Sequence, residues 1–239
     1  MDIILVPGFW LDASSWSKVT PALVEAGHSV HPLTLPGLEA GDDIGLSDQV
    51  DAVVAAIDAL GEAPVVLVGH SGGGPVIHGA LDARPDRVQR AIYVDSGPGG
   101  EDQSINPSLP VVGDAVPLPD WDVFDDADLV DLTDDIRATM RADALLLPRR
   151  VPSDLQHLTN EKRFGVPVTV IACEFSGEQM REWVAQGHEW VADLVNITDV
   201  EYVDLPTGHW PQFTRPVELG EIVLAAVDRT AQKEYSALA

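Results

Sequence analysis

The chain has 239 residues, 45% of them apolar, with 39 acidic against 14 basic side chains and a formal charge of −25. That size and apolar content suit one large domain with a full core and exclude a disordered chain. Such an acidic surface repels nucleic acid and anionic membranes, and it reads most simply as a solubility or salt-adaptation trait.

Met1-Asp2 runs directly into the apolar Ile3–Val6, which predicts a first strand and is too short for a signal peptide. Trp16–Ala26 has helical spacing with Pro21 in its path, so this helix is expected to kink or begin late. A second strand, Ser29–Leu33, leads into a loop over residues 35–43. Ser47 is expected to cap an amphipathic helix carrying Val50, Val53, Val54, Ile57 and Leu60, with Gly61 as its stop. Strand Val65–Val68, helix Val76–Arg84 and strand Ala91–Val94 follow. From about Glu101 to Arg163 the alternation breaks into a stretch rich in proline and acidic residues. Short helices are expected there around 126–132, 134–145 and 153–158, and no strand. The sheet resumes at Val166–Cys173 and Glu201–Leu205, and a helix over about Val217–Asp228 closes the chain.

Short β-branched runs alternating with helical segments predict an α/β fold, with a mostly parallel sheet of about six strands and helices on both faces. The chain is read as a single domain over 1–239, with an insertion at about 101–163 of a size that is usually functional. The single cysteine, Cys173, rules out an internal disulfide and fits a reducing compartment, and no segment reaches membrane-spanning length. The expectation is a soluble cytoplasmic protein with a small-molecule partner and neither nucleic acid nor membrane. A homodimer is left open.

The chemistry centres on Gly69-His70-Ser71-Gly72-Gly73, which directly follows an apolar strand and precedes a helix. Gly-x-Ser-x-Gly in that context forms a sharp turn that lifts a serine hydroxyl above the sheet edge, so Ser71 is the candidate nucleophile. Among seven histidines, His209 is the candidate base. It lies in Pro206-Thr207-Gly208-His209-Trp210-Pro211, a loop between the last strand and last helix. His70 and His78 are expected to pack or bond locally. The Gly72 N–H and the Phe9 N–H, in the loop after the first strand, are the candidate oxyanion donors. Trp10, Trp210 and Trp121 are expected to line an apolar pocket. Phe124 and Leu145–Leu147 could line its upper side, and Arg149-Arg150 could hold a substrate carboxylate or pair with nearby aspartates.

Gly8-Phe9-Trp10…Trp16, the Ser71 pentapeptide and Gly208-His209-Trp210, in this order, resemble the α/β-hydrolase superfamily, and most closely its compact plant methylesterase and hydroxynitrile lyase branch. The resemblance covers nearly the whole chain. It implies the α/β-hydrolase fold, Ser–His–acid chemistry without cofactor or metal, and a small helical cap at about 101–163. Pro7-Gly8 stands where many members have His-Gly. Ser176 stands where most members place the aspartate, and a hydroxyl cannot stabilise an imidazolium as a carboxylate does. The acid is therefore Asp95, as in relatives that keep it at the end of the strand after the nucleophile helix, or Glu174, with a water-bridged or acid-free dyad as the remaining alternative.

The function expected on this reading is hydrolysis of a small, largely apolar ester, thioester or lactone through an acyl-enzyme. Its alternatives are the same fold with C–C hydrolase, lyase or cofactor-independent oxygenase chemistry, or a non-catalytic ligand binder. Trp210 occupies the position of a lysine in the lyases, which counts against cyanohydrin cleavage. Ser71 in place of an aspartate counts against dehalogenase and epoxide hydrolase chemistry.

Overall fold

The computed structural model describes residues 1–37 and 43–237, with residues 231–237 by their backbone only. The middle of the expected 35–43 loop lies outside the described residues. Six strands, β1 (Asp2–Val6), β2 (Ser29–Pro32), β3 (Val65–His70), β4 (Val88–Val94), β7 (Val168–Ala172) and β8 (Val200–Asp204), form one sheet in the order β2-β1-β3-β4-β7-β8, with every pairing parallel. The two intervening strands, β5 (Ala115–Val116) and β6 (Leu147–Pro148), make a separate antiparallel pair.

Parallel strands covered on both faces need apolar side chains on both sides, which is why Val65–Val68 reads as an unbroken apolar run. Alternation sorts these side chains. Ile4, Val6, Val65 and Leu67 face a core shared with α2 (Leu46–Ala59), α3 (Gly73–Ala83) and α5 (Gly177–Gln186). Ile3, Leu5, Val66 and Val68 face the opposite core, with α1 (Thr20–Glu25) and the final helix (Pro216–Ala237). Trp16 is fully buried in that second core.

Several boundaries differ from the sequence expectation. The first helix does begin late. A 3-10 turn spans Ala13–Trp16, and α1 opens at Thr20 with Pro21 in its first turn, where the missing N–H costs nothing. The cap of α2 is Gly45 rather than Ser47, because Asp48 at the third helical position accepts the Gly45 N–H at 2.7 Å. In the 101–163 region only α4 (Asp134–Asp143) is an α-helix. Thr133 caps it by accepting the Ile136 N–H, so residues 126–132 remain turns. Residues 153–158 are irregular because their backbone pairs with another segment: Gln156 N–H donates to Gln103 O, and Asp102 N–H to Gln156 O. The β5–β6 pair corrects the expectation of no strand. Helix α5 was not anticipated, although Ser176 caps it and Gly187, at φ 73°, ends it. Ser176, at the position where an acid was sought, thus has a structural task.

Beneath the helices lies a buried ionic chain. His78 Nε2 and Arg163 Nε both reach Asp193 Oδ2, at 2.9 and 2.7 Å, and Arg163 Nη1 reaches Asp82 Oδ1 at 3.0 Å. Asp193 is buried, yet the bonds from His78 and Arg163 outweigh that burial and hold its carboxyl below the usual range. Removing one member strands the others without a partner. Asp193→Asn is therefore expected to cost about 3–5 kcal/mol, read as a fall in the denaturant midpoint; an unchanged midpoint would contradict this account.

Candidate active site

Three groups meet at the carboxyl ends of the central strands, the usual place for a site in an open parallel sheet. Ser71 follows β3 at φ 50°, a left-handed conformation that costs energy for a non-glycine residue and marks the sharp turn. Its N–H donates to Val94 O at 3.0 Å, and its carbonyl accepts from Gly74 N–H and from the Ser96 hydroxyl, both at 2.8 Å. A Cβ at Gly69 would stand 2.6 Å from Gly73 O, so only glycine lets helix α3 start this close to the strand.

His209 Nε2 lies 2.7 Å from Ser71 Oγ, and His209 Nδ1 lies 2.7 Å from Asp95 Oδ2. Asp95 directly follows β4, also at positive φ (46°), and its side chain is fully buried. Its second oxygen accepts the N–H groups of Cys173 at 2.9 Å and Glu174 at 3.2 Å. The carboxylate is thereby fixed by the chain after β7 while it faces the imidazole. Glu174 Oε2 also approaches His209 Nδ1, at 3.3 Å. Of the two candidate acids, Asp95 makes the shorter, aligned hydrogen bond, and Glu174 flanks the same nitrogen.

The imidazole is positioned through its backbone. His209 N–H donates to Asp128 O at 2.8 Å, and Gly208 N–H to Val130 O at 3.1 Å. His70 Nε2–H donates to His209 O at 2.7 Å, so His70 ties the serine turn to a loop 139 residues further on rather than bonding locally. Burial pushes the His70 pKa down to about 3, which keeps it neutral across the physiological range. Burial would likewise lower His209, but its hydrogen bond to Asp95 and the close negative charges of Asp95 and Glu174 prevail and raise it to about 10.

Ser71 opens onto a cavity of about 490 Å³ with mostly apolar walls. Phe9, Trp10, Ile105, Leu109, Phe124 and Trp190 supply those walls. Trp10 holds its place at φ 64° by donating its indole N–H to Val116 O at 3.1 Å. The Phe9 ring covers Gly72, where a Cβ would overlap it.

Trp210 and Trp121 do not line this cavity, contrary to the sequence expectation. Trp210 is 2% exposed and packs with Leu132 and Met140. It meets His209 edge-on at 5.0 Å, and Trp121 and Phe124 stand against it at 5.8 and 5.2 Å. A tryptophan next to the histidine in sequence points the opposite way, into the packing behind it. Arg150 pairs with Asp154 at 3.1 Å and Asp43 at 3.4 Å, and Arg149 lies 3.8 Å from Asp114; neither arginine lines the cavity. Phe175, Trp190, Gln156 and Asp128 do line it and were not singled out in the sequence. The Ser176–Gly187 capping pattern would have exposed α5, and with it the turn that carries Trp190.

The profile of the Alpha/beta hydrolase family matches residues 3–222. A carbendazim hydrolyzing esterase from Nocardioides sp. (strain SG-4G) is 31% identical over 100 residues, which are 40% of this chain and 41% of that protein. Methylesterase 8 of Arabidopsis thaliana is 35% identical over 99 residues, 39% of this chain and 36% of that protein. The matched stretches thus span about two fifths of these relatives. Among solved structures, an extracellular α/β-hydrolase from a Paenibacillus species is similar with a TM-score of 0.75 at 19% identity, covering 95% of this chain and 98% of that one. Tomato methylketone synthase I aligns with a TM-score of 0.69 at 14% identity, over 96% of this chain and 97% of its own. At those identities the structural likeness concerns the fold. A family profile spanning the sheet from β1 into the final helix, on this strand order, makes the chain a member of the α/β-hydrolase family.

Proposed function

We propose that this protein is a serine hydrolase that cleaves a small, largely apolar ester, with Ser71 as nucleophile, His209 as base and Asp95 as the orienting acid. The observation that carries this reading is the unbroken chain Ser71 Oγ–His209–Asp95, with two 2.7 Å links, at the floor of an apolar cavity. Esterase relatives support the ester as the substrate class.

On this reading His209 Nε2 takes the hydroxyl proton as Ser71 Oγ bonds to the carbonyl carbon. The oxyanion that forms is held by the N–H groups of Phe9 and Gly72, each worth roughly 3–4 kcal/mol of barrier. Gly72 caps the N-terminus of α3, where free N–H groups and the helix dipole favour negative charge. Collapse expels the alkoxide, which leaves as an alcohol with the proton from His209. Water then attacks the acyl-enzyme, gives its proton to His209, and the acid departs as Ser71 recovers its hydrogen. The insertion at 101–163 acts as a cap, contributing Ile105, Leu109 and Phe124 to the apolar cavity that would hold the acyl group.

The direct test is labelling with a fluorophosphonate followed by peptide mass mapping. Stoichiometric modification of Ser71 is expected; an inert protein would favour a ligand binder.

The imidazole must be neutral to accept a proton, and its two carboxylate neighbours favour the charged form. The pH–rate profile of p-nitrophenyl ester hydrolysis is therefore expected to rise with an inflection above 6.5, the ordinary histidine value. Full activity already at pH 6 would contradict the charge environment described for His209.

A further inference from the structure

A second space adjoins the cavity over Ser71. It is a groove of about 540 Å³ whose walls include Pro107, His188 and Glu189. Gln103, Ser104 and Trp190 border both the groove and the cavity, and Trp190 is the largest of the three. Its indole stands as a partition between the apolar space over the serine and the outer groove. Trp190 is 38% exposed, so core packing alone does not account for a ring of this size at this position.

The indole is fixed from behind and below. The Trp183 ring on α5 lies 5.1 Å from it and the Phe175 ring 5.7 Å, both at steep angles. Gly97, two residues past Asp95, lets the chain approach closely: a Cβ there would stand 3.2 Å from the Trp190 ring and 2.9 Å from Val191. The backbone is held as firmly. Trp190 belongs to a 3-10 segment, Glu189–Val195, in which Val191 is fully buried. Asp193 of that segment donates its N–H to Pro98 O at 3.2 Å, and its carboxylate accepts from His78 and Arg163. His78 lies on α3, the helix that starts at the serine turn. The buried ionic chain thus registers the Trp190 segment against the helix that presents Ser71.

We propose that Trp190 sets the length of the ester this protein accepts, by ending the apolar cavity and walling it off from the outer groove. The proposal rests on the reading of Ser71 as the nucleophile. A chain too long for the cavity meets the indole, which cannot swing aside without giving up its contacts with Phe175 and Trp183. Esters whose parts fit within about 490 Å³ are therefore preferred.

Removing the ring joins the two spaces and opens a recess backed by Phe175 and Trp183. Each methylene of a longer chain that becomes buried there strengthens binding about fourfold. A shorter chain reaches no new surface and gains nothing, so the effect is one of selectivity between chain lengths.

The test is the ratio of kcat/KM for p-nitrophenyl octanoate to that for p-nitrophenyl acetate, in the full-length protein and in Trp190→Ala. Any loss of folded or active protein cancels in this ratio, so a merely structural role for the indole would leave it level. The ratio is expected to rise in Trp190→Ala by about fourfold for each methylene newly buried. Trp190→Leu keeps an apolar side chain on the segment and is expected to raise the ratio less, in the same direction. It carries the test if the alanine variant folds poorly. A ratio that stays level or falls in the folded variants would overturn the proposal. If Ser71 resists the fluorophosphonate and neither ester is turned over, the hydrolase reading fails. The wall is then judged by calorimetric binding of decanamide and hexanamide, which require no reaction. A relative gain for decanamide in Trp190→Ala would uphold it, and equal changes would overturn it. If Ser71 is labelled and the ester ratio stays level, the wall fails alone.

Discussion

Ser71→Ala is expected to lower p-nitrophenyl ester turnover by roughly four to six orders of magnitude, with folding and ligand affinity nearly unchanged. The size of the loss follows from what the hydroxyl does that nothing nearby replaces. Ser96, the other hydroxyl close to the turn, is committed to Ser71 O at 2.8 Å and cannot swing to His209 without breaking that bond. The methyl of alanine suits an apolar cavity, so the variant should still hold a substrate analogue. Serine's positive φ is a property of the turn and not of its hydroxyl, so alanine meets the same backbone strain and little stability is lost. Turnover within tenfold of the unmodified protein, measured after excluding contaminating esterase, would remove Ser71 from the mechanism.

Asp95→Asn is the second large effect, expected at about a thousand- to ten-thousand-fold in turnover, against less than about tenfold for Glu174→Gln. The difference rests on geometry and hydrogen bonding. Asp95 is anchored by two backbone N–H groups and gives its other oxygen to Nδ1 at 2.7 Å. An asparagine there can turn its NH2 towards the ring, which favours the wrong tautomer and leaves Nε2 carrying the proton it must accept. Glu174 is a quarter exposed and 3.3 Å from Nδ1, so its charge acts mainly on the acidity of the ring. Glu174→Gln should accordingly move the rising limb of the pH–rate profile to lower pH, since removing a negative charge weakens the imidazolium. Paired kcat and kcat/KM measurements on the two variants decide the matter. Equal losses would mean that the two carboxylates share the role, and no loss in either would mean that neither orients the base.

How much of this was legible in the chain varied with the kind of signal. Ser71 is announced by its own neighbours, because a turn that tight demands small residues at fixed offsets. The four inner sheet strands, β1, β3, β4 and β7, are announced by β-branched runs that must be apolar on both faces, while the edge strands β2 and β8 are only partly buried. The insertion was harder to read. Residues 126–132 and 153–158 have helical composition, yet a cap at Thr133 and backbone pairing of Gln156 with the distant Gln103 and Asp102 decide their conformation. Trp210 shows the same limit at a single position: adjacency to His209 says nothing about which way a side chain turns in a loop.

The amino-acid sequence by itself determined the alternation of strands and helices, the serine turn and the order in which its chemical partners arrive. Those features depend on local spacing and on the apolarity that a buried parallel sheet imposes. Only the tertiary structure decided that Asp95 and Glu174, 79 residues apart in the chain, converge on one nitrogen while the Asp128 carbonyl holds the His209 backbone. Which carboxylate reaches an imidazole is a matter of tenths of an ångström, set by packing at the ends of β4 and β7 and by backbone bonds from distant loops. No local pattern in the chain encodes such distances.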